Sequence, residues 1–99
     1  MKQVLFLAEA RHDLDEIWLY IAIHDEAAAN WLLDAIDAKS ATLSHYPNAG
    51  PARSELGPEL RSLSVPPFIL YYRVAGEIVE IVRVIHAARD VSAIINQDQ

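Results

Sequence analysis

Three side chains in the C-terminal third are of the types that phosphodiester chemistry uses: Arg73, Glu80 and His86. A guanidinium stabilises the charge that develops on a scissile phosphate. Imidazoles titrate near neutrality and serve as general acid or base. If the three share one face of a sheet, they form a nuclease constellation, although no lysine lies nearby. The alternative role for His86 is a hydrogen-bonding residue where the sheet meets the tail. A second set suits partner contacts rather than catalysis. Arg61, Arg73 and Arg89 with Tyr71 and His86 would meet an acidic or mixed surface, and Asp13, Glu16, Asp34 and Asp37 a basic one. Arg89-Asp90 reads equally as a local ion pair, and Arg83 as an arginine paired inside the fold.

Other chemistries find no support. The chain has no cysteine, so disulfides and thiolate zinc sites are excluded. His12, His24 and His45 never fall four apart on one helix, so no metal site is expected. Gly50 and Gly57 lie in a Pro-rich turn and precede a strand, unlike a phosphate loop. No nucleophile–base pair stands out among the serines, and no cofactor is expected.

These residues must be positioned by a chain of 99 residues, 53% hydrophobic, with a net charge of −6. That length gives one domain, residues 1–99, and the apolar content excludes disorder. The longest uncharged apolar run, Ile17 to Ile23, is far short of a membrane span. No leader-peptide pattern opens the chain, and the expected location is cytoplasmic. Residues 8–37 hold eight acids against one base, Arg11, whereas residues 38–99 are balanced and carry five of the six arginines. An acidic protein lacks the basic footprint of a nucleic-acid binder, so direct sequence-specific binding of nucleic acid is not expected.

Residues 3–7 read as a short strand. Leu14, Ile17, Trp18 and Ile21 give residues 9–24 a helical period. Asp25 is an N-cap for a second helix over 26–45, with Ala28, Trp31, Leu32, Ala35, Ile36 and Leu43 on its stripe. Both tryptophans are expected in the core. The short link makes the helices antiparallel neighbours. Residues 46–59 form a loop. Strands come next at 60–65, 68–74 and 78–86, with Pro66-Pro67 and Ala75-Gly76 as turns; residues 87–96 read as a short helix or tail. The order β-α-α-β-β-β predicts an α+β two-layer domain, a helical hairpin packed on an antiparallel sheet.

With Ala75-Gly76 as the turn, Val74 pairs with Glu77, Tyr72 with Val79, Leu70 with Ile81 and Phe68 with Arg83. Phe68, Leu70, Tyr72, Val74, Val79, Ile81 and Ile85 then face the helices. Ile69, Tyr71, Arg73, Ile78, Glu80, Val82, Val84 and His86 share the other face. Its mix of apolar and polar groups suits a partner-binding surface, or a face covered by the tail after His86.

Several blocks resemble a known family. Asp13-Leu14-Asp15-Glu16-Ile17-Trp18-Leu19-Tyr20-Ile21-Ala22 is similar to the first helix of ParE-type toxins. Similar also are Tyr46-Pro47-Asn48-Ala49-Gly50, Glu59-Leu60-Arg61-Ser62-Leu63, Phe68-Ile69-Leu70-Tyr71-Tyr72-Arg73-Val74 and Ile81-Val82-Arg83-Val84-Ile85-His86-Ala87-Ala88-Arg89-Asp90. The order and spacing of these blocks carry the resemblance over essentially the whole chain. Gly50 is followed by Pro51 where many members have Arg, and Ala87 comes after His86 where many have Gly.

The resemblance implies the RelE/ParE fold and a toxin of a type II toxin–antitoxin pair, held in a hetero-oligomer by a ParD-type antitoxin. ParE-like members poison DNA gyrase without being nucleases; RelE-like members cut mRNA on the ribosome. The ribonuclease branch often carries Arg in a Tyr-Arg-Leu-Val-Tyr strand motif. Ile69 occupies that slot here, and Arg73 lies about 13 Å further along the strand. Together with the acidic charge, this favours gyrase as the target. Ribosome-dependent endoribonuclease activity through Arg73, Glu80 and His86 is the alternative, and a degenerate, non-toxic binding module is a third.

Overall fold

A computed structural model describes residues 1–97. Its β-hairpin is organised by Gly76, whose φ of 62° lies in the left-handed region that glycine tolerates best. The turn is Gly76-Glu77, one residue later than expected. The strands β3 (Phe68–Ala75) and β4 (Ile78–His86) pair Ala75 with Ile78, Val74 with Val79, Arg73 with Glu80 and Tyr72 with Ile81. The register therefore moves by two residues, which preserves the side-chain faces. A bulge then intervenes. Pairing resumes at Tyr71 with Arg83, leaving Val82 as the extra residue, and runs on to Phe68 with His86. One inserted residue re-aims the side chains beyond it. Val84 thus joins the helix-facing core and Ile85 the opposite one, the reverse of the alternation read from sequence.

The sheet has the order β1-β4-β3-β2, with β1 at Gln3–Phe6 and β2 at Arg61–Val65. β2 to β4 are antiparallel as expected. β1 pairs parallel to β4, so the sheet is mixed rather than wholly antiparallel. Parallel neighbours need a crossover between them. Here the helices and the loop after them carry the chain over one face to the far edge, and it returns through β2 and β3. The turn between β2 and β3 holds a cis Pro66–Pro67 bond.

The crossover is a helical hairpin, α1 (Ala8–Ala22) and α2 (Glu26–Ala41). The Asp25 carboxylate accepts the Ala28 N–H at 3.1 Å and caps α2 as anticipated. α2 gives way to a 3₁₀ turn, Thr42–Ser44, before the predicted end at His45. Ala10, Leu32, Ile36 and Leu43 bury against Leu70, Tyr72, Val79, Ile81 and Val84 from the sheet, with Leu14, Ile17 and Ile21 packed around them. Trp31 departs from expectation and lies exposed. The buried residues of α2 are Ala29, Leu32, Ile36 and Ser40, so the stripe passes beside Trp31 rather than through it. Trp18 is half-buried, and its indole donates to Asn30 Oδ1 at 2.8 Å across the hairpin.

The opposite sheet face is covered rather than open. A helix after His86, α3 (Val91–Gln97), and the loop preceding β2 close a second core of Leu56, Leu60, Tyr71, Ile85 and Ile95. The outer edge of β2 is sealed as well. The Ser62 N–H reaches Pro51 O at 3.1 Å, and Arg53 N–H reaches Leu60 O at 2.7 Å. At the other edge, the Gln3 N–H donates to Glu77 O and the Leu7 N–H to Ile81 O, which turns the Val4 and Phe6 backbone groups outward, while the Lys2 backbone is held by Ser44. Among the described residues, no strand pairs beyond β1.

Candidate functional site

The arginine and acid that sequence separates by 70 positions meet where α1 crosses β4. Arg83 Nε donates to Asp13 Oδ2 at 2.8 Å and its Nη2 to Oδ1 at 2.9 Å. The Val84 N–H also donates to Asp13 Oδ2, at 2.9 Å. A bidentate guanidinium–carboxylate pair of this kind is directional as well as strong. Both partners are largely withdrawn from water. Arg83 is paired inside the fold, as read from sequence. Asp13 is committed to the same junction rather than spread on the acidic surface with its neighbours.

His86 and Arg89 sit beside this junction. The His86 ring stands edge-on to Phe68 at 5.3 Å, and its Nδ1 accepts the Ala88 N–H at 3.0 Å. That acceptor role leaves the proton of the neutral ring on Nε2. The Arg89 N–H returns to the His86 carbonyl at 3.0 Å, and both side chains are exposed. Asp13, Glu16, Phe68, Arg83, His86 and Arg89 line a small cleft of ≈ 90 Å³. That is little room for a nucleotide.

Arg73 and Glu80 face each other directly across the hairpin, with Arg73 Nε 2.7 Å from Glu80 Oε1. They lie near the Gly76 turn, whereas His86 pairs with Phe68 at the opposite end. Five strand positions separate Arg73 from Phe68, about 17 Å. The bulge further removes His86 from the face expected to hold all three. The constellation drawn from sequence is therefore not brought together. Ile69 packs at the margin of the second core, opposite Ile85. A larger cleft of ≈ 580 Å³, running between the start of α1, the Gly57-Pro58 loop and α3, reaches both Arg73 and Arg83. Each of these guanidiniums already faces its carboxylate.

The remaining predicted contacts divide by exposure. Tyr71 is buried in the second core, with the Arg53 guanidinium 5.8 Å above its ring. Arg53 is held by Glu55 at 2.7 Å. That hydrogen bond raises the arginine pKa and lowers that of Glu55. Arg61 Nη1 donates to Gly50 O at 2.8 Å and so clamps the loop. Tyr72 secures the same loop: its hydroxyl accepts the Gly50 N–H at 3.0 Å and donates to Pro47 O at 2.9 Å. A Cβ at Gly50 would overlap the Ser62 carbonyl, so the close approach requires glycine there. Glu16 is exposed and lies 3.1 Å from His12. Asp34 and Asp37 are exposed beside a groove of ≈ 430 Å³ that also touches Arg11, Val4 and Phe6. Among the described residues, no three His, Cys, Asp or Glu side chains converge as a metal site needs. None of the described helices is long and apolar enough to cross a membrane.

Sequence reasoning passed over one surface. Leu19, Tyr20, Ile23 and Trp31 leave large apolar groups exposed at the closed end of the helical hairpin. The signal was available for Leu19, Tyr20 and Ile23, which lie off the buried stripe of α1. Trp31 was masked by counting it on the stripe of α2.

Residues 4–91 match the family described as the ParE toxin of the type II toxin–antitoxin system parDE. Toxin RelE2 of Caulobacter vibrioides is 35% identical over 89 residues, 90% of this chain and 99% of that protein. Toxin ParE3 of the same organism is 31% identical, over 94% of each. Among solved structures, the chromosomal ParDE system of P. aeruginosa superposes with a TM-score of 0.74 at 26% identity, covering 87% of this chain and 96% of that one. The RelBE2 toxin–antitoxin complex of Mycobacterium tuberculosis gives 0.63 at 29% identity, covering 86% and 96%. Fold and relatives together define a toxin of the RelE/ParE superfamily. Within it, the chain belongs to the ParE toxin family of type II toxin–antitoxin systems.

Proposed function

We propose that this toxin acts in the cytoplasm by binding DNA gyrase rather than by cutting RNA, and that a ParD-type antitoxin silences it in a hetero-oligomer. The observation that carries this reading is the dispersal of the nuclease set. Arg73 and Glu80 stand about 17 Å along the sheet from His86, and Ile69 fills the position where the ribonuclease branch often carries arginine. The net charge of −6 supports it too, because approach to ribosomal RNA is electrostatically uphill. For partner contacts we favour the exposed members of the predicted set: Glu16, Asp34, Asp37, Arg73, His86 and Arg89. Asp13, Arg61 and Tyr71 act within the fold, so their influence on partners runs through the shape they maintain.

The test is induction with and without the neighbouring antitoxin gene, followed by gyrase assays on purified protein. Growth arrest relieved by the antitoxin, with inhibited supercoiling or trapped cleaved DNA, is the expected outcome. Unimpaired supercoiling at saturating toxin would rule out this target. The relative named RelE2 favours a second reading, ribosome-dependent mRNA cleavage. Primer extension after induction distinguishes it: ribosome-dependent cuts that vanish in His86→Ala would establish that activity. Unhindered growth without antitoxin would instead mark a degenerate binding module.

A further inference from the structure

The turn that leads from β4 into α3 is fastened through His86. The residue is exposed, yet its Nδ1 accepts the Ala88 N–H at 3.0 Å and its carbonyl accepts the Arg89 N–H at 3.0 Å. The Ala87 N–H donates to Pro67 O at 2.9 Å and ties the same turn to the β2–β3 connection. The side-chain bond reaches two residues on, as in the turns that Asn and Asp form with their own backbone. Its acceptor differs from theirs, because an imidazole exchanges a proton near neutrality. Edge-on packing against Phe68, at 5.3 Å between ring centres, holds the plane of the ring. Beyond the turn, α3 places Val91, Ile94 and Ile95 against the second core.

Protonation reverses the chemistry of that bond. The neutral ring offers a lone pair at Nδ1, whereas the imidazolium carries N–H groups at both nitrogens and accepts nothing. The Ala88 N–H would then face another donor. We propose that His86 is a proton-sensitive latch, and that protonating Nδ1 frees the Ala88 N–H and loosens the seating of α3 on the second core. The neutral ring closes the latch, so its contribution is present above the imidazole range and fades as pH falls through it. The charges around the ring are mixed. Arg83 of β4 and Arg89 of the turn oppose a further positive charge, Glu16 of α1 favours one, and Asp13 of α1 is already neutralised by Arg83. β3 contributes the uncharged Phe68. Asp90, which bonds Ser92 and Ala93 at the start of α3, has a lowered pKa and stays ionised over this range. Glu16 also lies 3.1 Å from His12, a second imidazole, so the two rings have to be told apart by experiment. The latch operates whichever target the toxin binds.

The test follows amide protection by NMR in the isotope-labelled full chain, each rate referenced to the intrinsic exchange rate at that pH. Between about pH 8 and about pH 5, protection of Ala88 and of the α3 amides should fall by about threefold to tenfold, the range that one net hydrogen bond supplies. The midpoint should coincide with the titration of the His86 ring, read from its own carbon-bound protons. His86→Asn retains His12 and puts a non-titrating acceptor two residues before Ala88, so protection should be high and flat across the range. His86→Phe keeps an aromatic ring beside Phe68 without an acceptor, and protection should be low and flat. Circular dichroism melts verify that both variants fold; should the Phe variant not fold, the wild-type and Asn curves decide alone. Flat protection in the wild type would overturn the proposal. So would a step that persists in His86→Asn, because His12 or another group would then be its source. Protection in His86→Phe equal to that of the neutral wild type would overturn it as well, since the bond would then hold nothing.

Discussion

Asp13 receives three hydrogen bonds from β4, two from the Arg83 guanidinium and one from the Val84 N–H. Removing one member of such a pair leaves the other charge buried without its counterion. Asp13→Ala should cost about 3–5 kcal/mol, measured as a fall in the urea midpoint. A double Asp13→Leu/Arg83→Met variant should recover most of that loss, because no isolated charge remains. Tyr72 makes a smaller junction of the same kind. Tyr72→Phe strands the buried Gly50 N–H and should cost about 1–3 kcal/mol, with faster hydrogen exchange at Gly50 as its local signature.

Elements show which features could be read in advance. The helical period of α1, the Asp25 cap and the bounds of β3 and β4 depend on neighbours within a few residues, so they were legible. The bulge at Val82 was not. It serves the approach of Arg83 and Val84 to Asp13, a relation spanning 70 positions that no local alternation encodes. The three proposed nuclease residues were correctly placed on strands, yet their assembly depended on that bulge and on distance along the sheet. Trp31 was misplaced because Ala28, Trp31, Leu32 and Ala35 fit a helical period almost as well as the observed Ala29, Leu32 and Ile36. The helix α3 offers an element-scale prediction. Asp90 accepts the Ser92 hydroxyl at 2.8 Å and the Ala93 N–H at 3.4 Å, and these bonds lower its pKa. A carboxylate with a depressed folded pKa contributes fully above its unfolded value, and that contribution fades as pH falls through the folded value. Protection factors of the α3 amides, each referenced to the intrinsic exchange rate at that pH, should therefore fall on acidification below about pH 4. In Asp90→Asn that step should disappear.

At the scale of the whole molecule, one sheet separates two unequal cores. The larger lies under α1 and α2, and the smaller is closed by α3 through Ile95. Ile95→Ala should cost about 2–5 kcal/mol and raise binding of a hydrophobic dye, because Tyr71, Ile85 and Leu60 lose their cover. The first core would keep its helices, so far-ultraviolet dichroism should change less than dye binding. The two sheet edges are unequal as well: the β2 side is sealed by Pro51 and Arg53, whereas on the β1 side Ser44 holds the Lys2 backbone and the Val4 and Phe6 groups pair with no strand among the described residues. A sheet with one free edge can be extended only once. Two copies joined through β1 would consume both available edges, and growth would stop at a closed pair. A sheet free on both sides can recruit copies without limit. Edge-to-edge association in concentrated samples should therefore plateau at a finite species by light scattering, with no fibres.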